Sequence, residues 1–214
     1  MEGRRVNLLD AVVLTQLLRT PESRRILQPR RSSEGVADQR PLPDPEELWN
    51  RVGAARQALG AALDAARQRA ARLLRTATQR GICALPFGAA GYPARLAAIA
   101  DPPPVLWYRG AAAVLDAPAV AIVGSRAGSP YAREVAFRLA SDLASCGVAV
   151  ASGLARGVDA AAHRGALSAG GPTIGVPGCG IDVVYPPEHG DLLRAVAAAG
   201  AVAGELAPGE PPRA

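Results

Sequence analysis

Three glycine-bearing turns in the C-terminal half of this 214-residue chain carry residue types that suit an anion. They are Gly124-Ser125-Arg126, the segment SGLARG at residues 152–157, and the segment PGCG at residues 177–180. Glycine lets a ligand approach backbone N–H groups closely, and the first two turns each add the fixed charge of an arginine. A single turn of this type is more often an ordinary strand-to-helix connection. Three of them with two arginines predict an anion or phosphate site.

Other kinds of chemistry find less support in the residues. No GxGxxG or GxxxxGK[ST] pattern occurs, so the fingerprints of dinucleotide and ATP binding are absent and no cofactor is expected. His163 stands four residues after Asp159, which places both on one helix face where they can hydrogen-bond, and a bracing role is favoured over catalysis. Cys83, Cys146 and Cys179 are far apart and fit no metal-ligand spacing, so we expect reduced thiols and no metal.

The segments around these turns alternate like the strands and helices of a parallel sheet. Apolar runs at residues 120–123, 148–151 and 173–176 are typical of strands, one of the three turns follows each run, and helical patterns lie between them. In an open α/β sheet, ligands bind at the carboxyl ends of the parallel strands, so all three turns are expected at one edge. The helices after the first two turns would direct their positive dipole ends at that edge.

The helix after the first turn has recognisable ends. Ser129 can cap it with Pro130 at its first position, and Gly147 is expected to end it. Its buried face is predicted from apolar residues at helical spacing, which are Val135, Ala136, Leu139, Ala140 and Leu143.

The first 80 residues differ in composition from the rest. They hold 15 arginines against 9 acidic residues, a net charge of +6, whereas residues 81–214 hold 9 arginines against 10 acidic residues, a net charge of −1. Anion binding at the three turns must therefore be local. Residues 1–27 predict a short helix, residues 28–47 a Pro-rich flexible linker, and residues 48–80 one long Ala- and Arg-rich helix. The arginines of that helix are interpreted as a solvated face in preference to a nucleic-acid stripe.

The start of the chain has some features of a signal peptide. An Arg pair precedes an apolar run, but Glu2 and Asp10 interrupt the pattern and no small-residue cleavage site follows. No apolar run is long enough to span a bilayer. We therefore expect a cytoplasmic protein that does not contact membranes.

Four motifs in order resemble those of the DNA-processing protein A family, also called DprA or Smf. They are GSR, SGLARGVDAAAH, GCGID and YPPE, and the upstream GYPARLAAIADPPPVLWYRG resembles the segment that precedes the family's core. The resemblance runs from about Gly81 to Arg213. It implies a Rossmann-like, open and mostly parallel sheet with helices on both faces in residues 81–214. The α-helical N-terminal region predicted before this core follows from the helical spacing of apolar residues in residues 1–80.

The resemblance also implies a function and a set of site residues. It implies a protein without catalytic activity that binds single-stranded DNA during natural transformation and helps to load the RecA recombinase, and it leaves a homodimer open. Carried over by position, the residues that hold DNA phosphate are Gly124, Ser125, Arg126, Ser129, Ser152, Gly153, Arg156 and Gly157. The residues that shape the pocket are Asp159, His163, Gly178 and Gly180.

The chain departs from the family pattern in four respects, one of which is that the family's N-terminal helical domain is not recognisable in residues 1–80. Pro177 stands where the family usually has Leu, and His189 stands where it usually has Asn. The sequence stops at Ala214, whereas the family continues into a basic segment and further elements, so the core is expected to be incomplete. One alternative is a phosphoribohydrolase-like Rossmann enzyme, which is disfavoured because PGCGID lacks the GT pair and the Glu of PGGxGTxxE. Another alternative is a truncated remnant without activity.

Overall fold

The computed structural model describes residues 7–19, 23, 27 and 45–212. Within those residues the chain forms two compact units. The first comprises the described parts of Met1–Arg80 together with Ala84–Leu106, and the second comprises Gly81–Cys83 and the described part of Trp107–Ala214. Residues 84–106 therefore group with the N-terminal helices, which differs from the predicted boundary at residue 81.

Helices build most of the first unit. They are α1 (Leu8–Leu17), α2 (Pro45–Ala54), α3 (Arg56–Gln79) and the short α4 (Ala94–Ala97). The helix predicted near the N-terminus is present as α1, whose start is capped by the side chain of Asn7, an acceptor for the Asp10 N–H at 2.9 Å. None of the described helices is long and apolar enough to cross a membrane.

The long helix predicted over residues 48–80 is two helices. Ala55 separates α2 from α3, and Gly60 interrupts α3 with φ 37°, a backbone conformation that glycine adopts without a side-chain penalty. The predicted linker over residues 28–47 lies outside the described residues up to position 44, and its last three residues already belong to α2. The physical reason is that Pro45 suits the first turn of a helix, where its missing N–H would be unpaired anyway.

One six-stranded sheet runs through the C-terminal part of the chain. Its strands are β1 (Cys83–Pro86), β2 (Val105–Gly110), β3 (Ala119–Ala121), β4 (Ala149–Ser152), β5 (Thr173–Gly175) and β6 (Ala201–Gly204). The spatial order is β1-β2-β6-β5-β4-β3. Strands β3 to β6 are parallel, and β2 pairs with β6 in the antiparallel sense. The predicted mixed α/β class, with a mostly parallel sheet and a helical N-terminal region, is confirmed.

Three helices connect the parallel strands. They are α5 (Pro130–Ser145), α6 (Val158–Ser168) and α7 (Gly190–Ala199). The sequence predicts helices on both faces of the sheet. Because the parallel strands follow one another in one direction across it, right-handed crossovers place these three connecting helices along one face. The contacts agree, since Thr173 of β5 bonds His163 of α6, and a Cβ on Gly175 of the same strand would lie 3.3 Å from Val196 of α7.

Helix α5 begins and ends as predicted, and Ala136 and Ala140 of its predicted buried face are buried, but Val135 and Leu139 are not. Ser129 caps it by accepting from the Ala132 N–H at 3.1 Å, and Gly147 follows its end with φ 76°. Its buried residues are Ala136, Ala140 and Ala144, whereas Val135 and Leu139 are 44% and 48% exposed. The alanines are buried because α5 and α6 approach closely: a Cβ on Gly165 of α6 would lie 2.1 Å from the Phe137 carbonyl oxygen. Only small side chains fit between helices this close, so the larger Val135 and Leu139 lie on the exposed side of α5.

Candidate nucleic-acid interface

The first two glycine-bearing turns touch each other at the carboxyl edge of the sheet. Gly157 lies against the first turn so closely that a Cβ would be 2.3 Å from the Ser125 carbonyl oxygen and 2.7 Å from that of Arg126. The next residue, Val158, donates its N–H to the Ser125 carbonyl at 3.3 Å, and a Cβ on Gly124 would meet the Val158 side chain at 2.9 Å. Glycine at positions 124 and 157 is therefore what allows the two turns to form one surface.

The first turn presents unpaired donors to solvent. Gly124, Ser125 and Arg126 are all exposed, and their backbone N–H groups donate to no residue in the described part of the chain. The Arg126 guanidinium likewise forms no ion pair with a described residue. The Ser125 hydroxyl is an acceptor for the Ala127 N–H at 3.1 Å and so fixes the shape of the turn. Successive free N–H groups beside a fixed cation suit an anion.

The second turn is held from inside the protein. Ser152 is buried and donates its hydroxyl to the Ile122 carbonyl at 2.7 Å, so its side chain ties β4 to β3 and does not reach the surface. The buried Asp159 carboxylate accepts from the Gly153 N–H at 3.2 Å and from the Ala155 N–H at 3.4 Å. These bonds fix the turn at the start of α6, where the helix dipole is positive.

Leu154 shows how much the second turn is constrained. It has φ 60°, which is uncommon for a residue other than glycine, while its side chain is buried and lies beside Gly175. Its carbonyl oxygen accepts a hydrogen bond of 2.9 Å from Nδ1 of His189. The histidine at the position where Asn is usual thus braces the turn.

Arg156 is paired in this structure. Its Nε lies 2.5 Å from Oε1 of Glu188, and one terminal nitrogen lies 3.1 Å from Oε2. The hydrogen bond and charge of Arg156 lower the pKa of the Glu188 carboxyl, and Glu188 in turn raises the pKa of Arg156. An anion that binds Arg156 must therefore compete with this carboxylate.

The third turn contributes less than the sequence predicts. Gly178 is exposed with no atom near its Cβ position, whereas Gly180 is buried and donates its N–H to the Glu210 carbonyl at 2.9 Å. Cys179 is buried between them, and burial raises the pKa of its thiol. The segment reaches the second turn through Glu188 and His189, which lie beyond the glycines. The sequence analysis names Glu188 within YPPE and His189 as a departure from the family pattern, but it does not predict their contacts with the second turn, because no local pattern shows that residues 32 and 35 positions apart meet.

His163 is a buried brace. The Thr173 hydroxyl donates its one hydrogen to the Val150 carbonyl at 2.8 Å. It must therefore be the acceptor in its 2.7 Å hydrogen bond with His163, which is donated by Nδ1–H. Nε2 is then the unprotonated nitrogen, and it bonds no described residue. Burial lowers the pKa of His163 to about 4. The predicted hydrogen bond to Asp159 is not formed, because the Asp159 carboxylate turns to the Gly153 and Ala155 amides.

Comparison with known proteins gives a family for the larger part of the chain. Residues 84–214 match the family model described as DNA recombination-mediator protein A. A DNA processing protein DprA from Mycobacterium tuberculosis is 44% identical over 128 residues, which cover 59% of this chain and 32% of that protein. The DNA processing protein DprA of Streptococcus pneumoniae is 40% identical over 121 residues, covering 56% and 43% of the two chains. Protein Smf of Synechocystis is 37% identical, covering 56% and 31%.

Two solved structures are similar. DNA processing protein A of Streptococcus pneumoniae matches with a TM-score of 0.61 and 31% identity, covering 79% of this chain and 54% of that one. DNA processing protein A of Helicobacter pylori, a structure described for its single-stranded DNA binding mode, matches with a TM-score of 0.55 and 31% identity, covering 62% and 59%. The chain spans between 31% and 43% of the length of the curated relatives named above.

Proposed function

We propose that this chain, which belongs to the DNA recombination-mediator protein A family, binds the phosphate backbone of single-stranded DNA where its first two turns meet. The observation that carries the proposal is the first turn itself. Gly124, Ser125 and Arg126 are exposed, their N–H groups have no partner among the described residues, and the Arg126 guanidinium is unpaired there. A DNA-processing role in transformation or recombination is supported by the related proteins.

A backbone-binding site of this kind recognises charge and not base sequence. The N–H groups and Arg126 would contact phosphate oxygens, the positive ends of α5 and α6 would add to the local potential, and Gly157 would keep the two turns in contact. Because the surrounding C-terminal part of the sequence is close to neutral, the attraction is confined to this surface. Ser129, Ser152, Gly153 and Asp159 serve by holding the turns in shape.

We propose further that the protein acts without catalysis, in the cytoplasm, as a mediator that helps to load RecA; the resemblance leaves a homodimer open. Two side chains that could take part in catalysis, His163 and the Cys179 thiol, are both buried, which supports a function without catalysis. The description of the family as a recombination mediator supports the RecA role. Glycines 178 and 180 keep a shaping role, with Gly180 packed on the segment that ends near Glu210.

Fluorescence anisotropy with labelled oligonucleotides over a salt series tests the binding site. Each phosphate contact of a single strand contributes about −0.7 to the slope of log affinity against log salt. Arg126→Ala should lose one phosphate contact. The ratio of wild-type affinity to variant affinity should therefore fall about 2.6-fold between 50 and 200 mM salt. The matched control is Arg194→Ala, an exposed arginine of α7 paired with Asp191, which should leave the slope unchanged. Equal slopes for Arg126→Ala and the wild type would contradict the assignment.

A further inference from the structure

A surface cleft lies beside the two turns, between the start of α5 and the first half of α6. Its volume is about 500 Å³. Arg133 and Phe137 line it from α5, Arg156 and Gly157 from the second turn, and Arg164 from α6. The close contact between Gly165 and the Phe137 carbonyl brings the two helices together there. None of Arg133, Phe137 and Arg164 belongs to the site predicted from the sequence.

The cleft is a local concentration of positive charge. Residues 81–214 hold nine arginines, and three of them line the cleft while Arg126 lies in the adjoining turn. The acidic side chain that lines it, Glu134, is already paired with Arg138 at 2.6 Å. Arg133 and Arg164 are exposed and form no ion pair with a described residue. Two unpaired arginines facing one cleft are repelled by each other and are neutralised best by an anion.

The cleft continues the surface of the first two turns. Gly157 belongs to both, since it lines the cleft and would place a Cβ 2.7 Å from the Arg126 carbonyl. A strand whose phosphate is held at Arg126 can therefore enter the cleft without leaving the surface. Phe137 also lines the cleft, and it packs partly against the core of this unit.

We propose that this cleft is a second contact for the single strand, in which Arg133 and Arg164 bind a backbone phosphate further along the same chain. The proposal rests on the proposed function, because the strand must first be held at the two turns. The cleft extends the contact with the strand and sets the length of DNA that one copy covers.

The test measures the affinities of thymidine oligomers of 4 to 20 nucleotides, from 50 to 200 mM salt, for the wild type and five variants. These are Arg126→Ala, Arg133→Ala, Arg164→Ala, the double cleft variant Arg133→Ala/Arg164→Ala and, as the control for loss of one charge, Arg194→Ala. The double cleft variant loses one phosphate contact, so the ratio of wild-type affinity to variant affinity should fall about 2.6-fold over this salt range, and for each single cleft variant it should fall by no more than that. The loss should appear only with oligomers long enough to reach the cleft, whereas Arg126→Ala should weaken binding at every length.

The outcomes separate the two proposals. If Arg126→Ala reduces the salt slope while both cleft variants match Arg194→Ala at all lengths, the cleft proposal fails and the proposed function stands. If the cleft variants lose affinity equally at all lengths, the cleft is part of the primary site and a separate second contact is refuted. If the wild type does not bind single strands, both proposals fail.

Discussion

Gly157 is the residue on which the candidate site depends most directly, and Gly157→Ala is the sharpest test of the geometry. It has φ 76° and ψ −122°, a combination outside the regions that residues with a Cβ visit. A Cβ there would also lie 2.3 Å from the Ser125 carbonyl oxygen and 2.7 Å from that of Arg126. Both partners are backbone atoms, so the first turn must move before the methyl group fits.

The expected cost has two parts. A sparsely populated backbone conformation of this kind costs a residue with a Cβ about 1–3 kcal/mol. Forcing a methyl group into a packed site costs about 1–3 kcal/mol more. We therefore expect Gly157→Ala to lower the free energy of unfolding by about 2–6 kcal/mol, a large share of the total stability of a typical domain.

Gly147 provides the matched control. It also has φ 76°, but nothing lies within 4 Å of its Cβ position. Gly147→Ala should therefore cost only the conformational part, about 1–2 kcal/mol. The difference between the two variants measures the extra cost at Gly157, which comes from the crowding against the first turn and from its ψ of −122°.

Urea unfolding followed by circular dichroism gives both free energies, and anisotropy gives the affinity for single-stranded DNA. Gly157→Ala should lose both stability and DNA affinity, because moving the Ser125 and Arg126 carbonyls displaces the unpaired N–H groups between them. Gly147→Ala should lose some stability and keep its affinity. If the free energies of unfolding of the two variants differ by less than about 0.5 kcal/mol, which is the usual effect of a surface substitution, the close contact between the turns is contradicted.

Three further predictions concern single side chains. Because burial lowers the pKa of His163 from 6.5 to about 4, unfolding should become easier as pH falls from 6.5 to 4, by about 3 kcal/mol, and His163→Gln should remove that pH dependence. A pH-independent stability in this range would contradict the buried neutral ring. Glu188→Gln should release Arg156 and tighten DNA binding by at most about fivefold, since exposed ion pairs are weak, and weaker binding would show that the carboxylate supports the site. Ser129→Ala should cost about 1 kcal/mol of stability by removing the cap of α5, as chemical unfolding will show, and an unchanged midpoint would argue against the cap.

Part of this protein followed from local sequence patterns. The cap at Ser129, the end of α5 at Gly147 and the bounds of α6 were predictable because each depends on a few neighbouring residues. The parallel alternation also implied that the first two turns would lie at one edge of the sheet, as the pairing of β3 with β4 confirms. The division at Ala55 and the interruption at Gly60 were not predicted for residues 48–80, because the apolar spacing continues past both positions.

The sequence by itself determined the class of fold, the order of the elements and the turns that can hold an anion, because strand periodicity, helix caps and glycine are local properties. The tertiary structure decided which of those residues face solvent. It turned Ser152, Asp159 and His163 into internal braces and left Arg126 unpaired among the described residues. It also paired Arg156 with Glu188 and brought Arg133 and Arg164 to one cleft. These outcomes depend on contacts between residues distant in the chain, which the packing of α5, α6 and the following loop fixes and no local pattern encodes.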